Sequence, residues 1–432
     1  PVMADFELGL VRAQQGDLVG AIALWQNVQT REPNFSPAWF NAGLAHYKLA
    51  QYDQAVACLQ QALRLEPHDP ATLLNLGAAL KRVDDVAGAI ACYRTILAQD
   101  PGAIDARHNL ANALEKVGGI IEAEDHLRTV VAAQPDNPNA WHSLGNILWE
   151  QNRLEDALVC YDRALALEPN HAEVRANRGA VWLSLAWLDR GFVEYEWRWR
   201  CLEIARGLPR HLGTVPLWLG DRPPSPERLA PFTVGDDPAW KRSQIPHVKT
   251  GWGDLAGRTI LLVGDMGLGD AIQFGRYASL LADRGARVWL EVAAPLRRLL
   301  ATAPGVDRVL TGRAFLSQVS DPSPDATSPD PASPDAALAT QVDFWSPLMS
   351  LPAALGTTIA TIPAVFPYLS PPAEPILAPR SPGTIARIGL VWNSGRVSAT
   401  RRQRSCSLDL FLHDLVQPLN HAIASQDKHT QA

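Results

Sequence analysis

The sequence predicts an α plus α/β chain, with a stack of paired helices filling the first 200 residues and a parallel-sheet region after them. Two observations carry that expectation. Small and helix-breaking residues recur every 34 positions through the first half of the chain. From Arg258 onward, short apolar runs alternate with amphipathic stretches, which is how strands and helices taking turns read in a sequence.

The chain has 432 residues, room for roughly two to four domains. A hydrophobic content of 47% supports real cores, and 45 acidic against 39 basic residues give a net charge of -6. That balance lacks the cationic excess needed to neutralise a nucleic-acid backbone. Residues 344 to 373 carry no charge, yet Pro347, Pro352, Pro363, Pro367, Pro371 and Pro372 interrupt them. A lipid-exposed helix broken so often would leave backbone polar groups unpaired, so buried loops and short elements are expected there and no membrane span. The chain begins at Pro1 without a basic-then-apolar leader, and the expected location is cytoplasmic.

The helical half divides into blocks beginning at residues 2, 36, 70, 104, 138 and 172. One column holds Ala21, Ala55, Ala89, Ala123, Ala157 and Gly191, and a second holds Gly9, Gly43, Gly77, Ala111, Gly145 and Gly179. Small residues at two fixed places let two helices cross closely. A third column, Pro33, Pro67, Pro101, Pro135 and Pro169, stops the second helix of five blocks. Cys58, Cys92 and Cys160 sit at multiples of the same period, which marks them as small packing residues of the second helix and not as a metal-ligand set. Trp39 and Trp141 are expected in the core.

Block 138 to 171 carries Trp141, Leu144, Gly145, Leu148, Ala157, Tyr161, Ala164 and Pro169, and in this the array resembles the tetratricopeptide repeat. The resemblance implies a superhelix of about six repeats over residues 1 to 200, with first helices lining a concave groove. It also places Glu7, Asn41, Asn75, Asn109, Ser143 and Asn177 on the groove side. A ladder of side-chain amides can hydrogen-bond the backbone of an extended peptide without reading its sequence. Such a ladder is a feature of the repeats of O-GlcNAc transferase, which this array resembles. The plainer reading is that the asparagines belong to the repeat pattern and stay solvated.

The sixth block ends in YEWRWR, residues 195 to 200, expected to cap the array. Residues 201 to 257 read as a Pro/Gly-rich connector with PLW at 216 to 218 and GWGDLAGR at 251 to 258 as islands of pattern. Ser-Pro-Asp repeats within 321 to 336 mark a solvated insertion that cannot build a core.

In the sheet region RTILLV, RVWLEV and VDRVL read as successive parallel strands, with helices over 269 to 284 and from Pro295 to a stop at Pro304 and Gly305. The stretch LLVGDMGLGDAIQF, 261 to 274, then lies at a strand's C-terminal end. Its glycines, Gly264, Gly267 and Gly269, miss the G-x-G-x-x-G spacing of a dinucleotide site, although Glu291 imitates the ribose-binding acid. A purely structural turn is a second reading.

A third comes from resemblance. That stretch through Val292, with DFWSPLMSLP, IPAVFPYL and RIGLVWNSG, resembles the glycosyltransferase part of bacterial repeat proteins related to heptosyltransferases. The resemblance implies a GT-B arrangement of two Rossmann halves, one over 258 to 372 and the start of a second over 385 to 432. It makes Asp270 the candidate catalytic base, which would take a proton from an acceptor hydroxyl. Asp270 reads equally well as a helix cap. Gly267, Gly269, Ser394, Gly395, Arg396, Arg402 and Arg404 are candidates for holding a donor diphosphate, the arginines equally readable as a solvated basic run. No Asp-x-Asp occurs, so no metal is expected, and no cofactor beyond a nucleotide-sugar donor if the chain is active.

Only 45 residues follow the start of RIGLVW at about Arg387, so the donor-binding half is expected to be mostly missing. Two functions follow: a repeat module that binds a protein or peptide and is fused to an inactive glycosyltransferase-like part, or an inverting GT-B enzyme that glycosylates a captured protein or a glycan.

Overall fold

The computed structural model describes residues 2–201, 215–221, 231, 250–264, 268–311, 341–364 and 369. The chain divides into two compact units, one containing Pro1–Cys160 and the other Tyr161–Arg387.

The first unit is built from antiparallel helix pairs: α1 (Val2–Gln14) with α2 (Leu18–Arg31), α3 (Ser36–Lys48) with α4 (Tyr52–Leu65), α5 (Pro70–Arg82) with α6 (Val86–Gln99), and α7 (Ile104–Val117) with α8 (Ile120–Ala133). Helices α9 (Pro138–Glu150) and α10 (Leu154–Leu167) continue the pattern. The alanine column is the packing seam: Ala21, Ala55, Ala89, Ala123 and Ala157 are all 0% exposed. The glycine column faces a bulky partner on the following helix. A Cβ at Gly77 would lie 2.6 Å from the Tyr93 ring, and one at Gly43 would lie 2.7 Å from Leu59. The pairs α3–α4 and α5–α6 thus cross at a separation that no larger residue permits.

A further column, not read from the sequence, sits in the turn between the two helices of each repeat. Gly16, Ala50, Asp84, Gly118, Asn152 and Ala186 all have positive φ, between 59° and 87°. Directly after this turn Asp17 and Asp85 accept hydrogen bonds from the backbone N–H groups of Gly20 and Gly88, capping α2 and α6. Trp39 and Trp141 are half-buried and not core. Each indole donates to the carbonyl of the proline that closes the preceding block, Pro33 or Pro135, at 2.9 Å, so the ring needs one polar edge at the surface. Cys92 and Cys160 are buried and Cys58 half-buried, and burial pushes all three thiols up.

The second unit opens with α11 (Ala172–Ser184), α12 (Leu188–Tyr195) and a 3-10 turn over Glu196–Arg200. Its sheet has six strands, all parallel: β1 (Leu217–Trp218), β2 (Thr250–Gly251), β3 (Thr259–Val263), β4 (Arg287–Glu291), β5 (Arg308–Leu310) and β6 (Phe344–Pro347), in the order β2-β1-β6-β3-β4-β5. Successive residues of β3 alternate between two cores. Ile260 and Leu262 face a cluster with Phe274, Val288 and Leu290, and Leu261 faces Leu217, Val342 and Trp345. The islands in the connector are therefore sheet: Leu217 and Trp218 pair with Thr250 and Gly251 on one side, and Leu217 with Trp345 on the other.

The continuous helix expected over 269 to 284 is two, α13 (Leu268–Gly275) and α14 (Ala278–Ala282). Gly275 is a poor helix former, and beyond it Tyr277 turns inward, 3% exposed, to stack on Phe274. The helix expected from Pro295 is a 3-10 turn and one α-turn, α15 (Arg297–Leu300). After β6 comes α16 (Leu351–Ala354), in keeping with the short elements expected there.

Segment 195 to 200 does more than end the array. Phe192 joins the core on one face of the sheet and Trp199 the core on the other. Arg198, 0% exposed, pairs with Glu196, and both hydrogen-bond Ser350 Oγ at 3.0 Å.

Candidate functional site

In the first unit the first helices also touch one another, α3 with α5, α5 with α7 and α7 with α9. Elements that meet their second neighbours lie on the inner side of a curved stack, so the first helices line its groove. A hydrogen bond between His108 Nε2 on α7 and Ser143 Oγ on α9, 3.0 Å long, spans two repeats on this side.

The ladder residues Asn41, Asn75, Asn109 and Ser143 are all half-buried. The amide nitrogens of Asn41 and Asn75 each donate to the carbonyl four residues earlier, Pro37 and Ala71, at 2.8 Å. One donor of each amide is thus spent on its own helix, and the amide oxygen, an acceptor, is left for other partners. Glu7, in the first ladder position, is exposed, and Asn177 lies half-buried on α11 in the second unit.

Sequence reasoning missed the groove's other columns. Phe40, Leu74, His108 and His142 share one position of the repeat, Leu44, Ala78, Asn112 and Asn146 another, and Tyr47, Lys81, Glu115 and Trp149 a third; all twelve are half-buried. Their signal was the same 34-residue spacing, hidden because residue type changes along each column. The columns are apolar in the second and third repeats, up to Lys81, and polar or titratable in the fourth and fifth, Trp149 excepted. Burial pushes the Glu115 carboxyl up to about 7, Glu150 adding to the effect against Lys81 and Lys116. Burial lowers Lys81, with Lys116 repelling it and Glu115 opposing, and burial lowers His108, with Lys81 adding to the effect.

In the second unit the chain runs from β3 to β4 to β5 and then returns to place β6 on the other side of β3. The crevice at the C-terminal ends of β3 and β6 is therefore the topological switch point, where open parallel sheets bind ligands. Asp270 lies in the first turn of α13, the helix that follows this strand end, and is half-buried. A Cβ at Gly269 would meet nothing within 4 Å, so no packing against the described residues requires glycine there. Glu291, 7% exposed, ends β4, and its carbonyl accepts from the N–H of Gly264 at 2.9 Å. Gly267, Ser394, Gly395, Arg396, Arg402 and Arg404 lie outside the described residues. No helix among the described residues is long and apolar enough to cross a membrane.

Three family models described as tetratricopeptide repeat match the chain, at residues 40–104, 80–147 and 138–171. No curated protein matches. Among solved structures the chain is similar to YrrB, a TPR protein with an unusual peptide-binding site, at 18% identity over 40% of this chain and 90% of that one, TM-score 0.37. It is also similar to PilW, a type IV pilus biogenesis factor, at 22% identity over 46% and 92%, TM-score 0.42. A third is a tetratricopeptide repeat protein from Parabacteroides merdae, at 14% identity over 45% and 77%, TM-score 0.42. The repeat period, the buried small-residue columns and the family-model matches together show that the helical part of the chain is built of tetratricopeptide repeats, and these precede a six-stranded, all-parallel sheet.

Proposed function

We propose that the repeats bind an extended segment of a partner protein along the groove lined by the first helices, with the asparagine ladder holding the segment's backbone. The observation that carries this reading is the state of Asn41 and Asn75. Each is half-buried, is oriented by a bond to its own helix, and keeps an amide oxygen available to accept a peptide N–H. Contacts to backbone confer affinity without fixing sequence, which suits a module that captures one strand of a larger protein. Changing Asn75 and Asn109 together to Ala should deplete the set of proteins retained in pull-downs while leaving the helical signal unchanged. An undiminished set counts against the ladder.

For the sheet unit, the reading is of a glycosyltransferase-like part without turnover in this chain. The alternative is an active inverting transferase with Asp270 as base, favoured by Asp270 opening α13 after the switch-point strand. Calorimetric titration with UDP-, GDP-, ADP- and CMP-linked sugars separates the two. Absence of binding by all of them removes the transferase, whereas transfer abolished by Asp270→Asn establishes it.

A further inference from the structure

The stack of helix pairs ends in an apolar face. Along its outer side α1 presents Ala4, Leu8, Val11 and Gln15, spaced for one helical stripe, and all four are exposed, Leu8 and Val11 at 46% each. On α3, α5, α7 and α9 the positions matching Ala4, Leu8 and Val11 are all buried. The second helix of the preceding repeat covers them. Ala38, Ala42 and Ala45, for example, share a core with Ile22, Trp25 and Val28 of α2. The nearest match to α1 is α9, whose stripe reads Ala140, Leu144, Ile147 and Gln151. There α8 lies on the stripe: its Leu127 and Val131 are buried, and its Glu124 accepts from Gln151 Nε2 at 2.6 Å. The fold thus contains a complement to the face that α1 leaves open, at a place where a terminal repeat usually turns polar residues outward.

We propose that the outer stripe of α1 binds an amphipathic helix of a partner protein, laid on α1 as α8 lies on α9. That helix carries apolar side chains at the spacing of Leu127 and Val131, which cover Leu8 and Val11, and a polar side chain at the place of Glu124, which meets the Gln15 amide. Asp17, paired with Arg12 at 3.3 Å, stands where the α9 site has Arg153, the cation that holds Glu124. A neutral amide therefore suits the partner's polar position better than an acid. A second copy of the chain is the poorer occupant, because α2, α4, α6 and α8 are each already packed between two first helices and cannot be lent. The stripe is separate from the groove, and its occupation does not depend on the asparagine ladder.

The test uses the full chain and fluorescence anisotropy with a labelled peptide of sequence 118–134 carrying Glu124→Gln. A lactam between Asp125 and a lysine replacing Thr129, positions exposed on α8, holds the peptide helical. This peptide should bind, and replacing its Leu127 and Val131 by Gln should weaken it about tenfold or more, the scale of two aliphatic side chains left in water. Leu8→Gln with Val11→Gln in the chain should cause the same loss at a nearly unchanged thermal midpoint, since both side chains are exposed. Absence of binding, or binding indifferent to Leu8 and Val11, overturns the proposal. So does a concentration-dependent dimer of the chain alone, seen by sedimentation velocity and abolished by Leu8→Gln with Val11→Gln, because a second copy then covers the face.

Discussion

At the residue scale, the turn column shows how a structural requirement recurs with different side chains. Position 50 needs a left-handed backbone, yet it holds alanine, as does position 186, where other repeats use glycine, aspartate or asparagine. An alanine there carries about 1 kcal/mol of strain. Ala50→Gly is therefore expected to stabilise the first unit by up to about 1 kcal/mol, the glycine's greater freedom in the unfolded chain offsetting part of the gain. A shift of the urea midpoint to higher concentration at unchanged slope is the expected result. Glu115 makes a second prediction. Its pKa in the fold, about 7, lies above that of an unfolded glutamate, roughly 4.3, so the native state holds the extra proton between those values. Stability contributed by the protonated form is complete below about pH 4 and declines as pH rises toward 7. Glu115→Gln should remove this part of the pH dependence, visible as a flatter midpoint-against-pH curve.

At the element scale, neighbouring repeats are joined by more than apolar seams. Glu124 on α8, 7% exposed, accepts from Gln151 at 2.6 Å and from Arg153 at 2.7 Å in the turn before α10, and also pairs with Arg128 on its own helix. Burial alone would push its carboxyl up, but the hydrogen bonds from Gln151 and Arg153 and the charges of Arg128 and Arg153 outweigh it and hold the group below the usual carboxylate range. Its contribution is thus present above the unfolded value of roughly 4.3 and is lost as acid protonates it. Glu124→Gln should cost about 1.5–3 kcal/mol at neutral pH, the range for hydrogen bonds to a charged group, and much less at pH 3. Amide-exchange protection of α8 and α9 reports the loss. The element boundaries of the repeats were legible because every helix pair is made of sequence neighbours joined by a short turn. In the sheet region β3, β4 and β5 were legible for the same reason, as short apolar runs set apart by glycine and proline. The length of α13 was not, because its end is set by Tyr277 turning into the core, a contact made across the fold.

At the scale of the whole chain, the buried group of Glu196, Arg198 and Ser350 ties the 3-10 turn after the last helix to the turn that follows β6 within the second unit, joining residues more than 150 positions apart. Removing one partner of a buried ion pair strands the other charge. Arg198→Ala should accordingly cost about 3–5 kcal/mol, whereas an apolar replacement of both Arg198 and Glu196 should cost far less. Thermal unfolding of the two variants side by side checks this, and equal losses would deny the pairing any role.

The repeat, its seams and the existence of a parallel sheet could be read from the chain alone, because a 34-residue period, small-residue columns and short apolar runs encode packing between neighbours. The three-dimensional fold was needed to fix which columns line the groove, that residues 217–218 and 250–251 add strands beside β6, that a segment expected to cap an array is buried against a sheet, and that Asp270 follows the strand at the switch point. Those features depend on pairings between distant parts of the chain, where no local period exists to announce them.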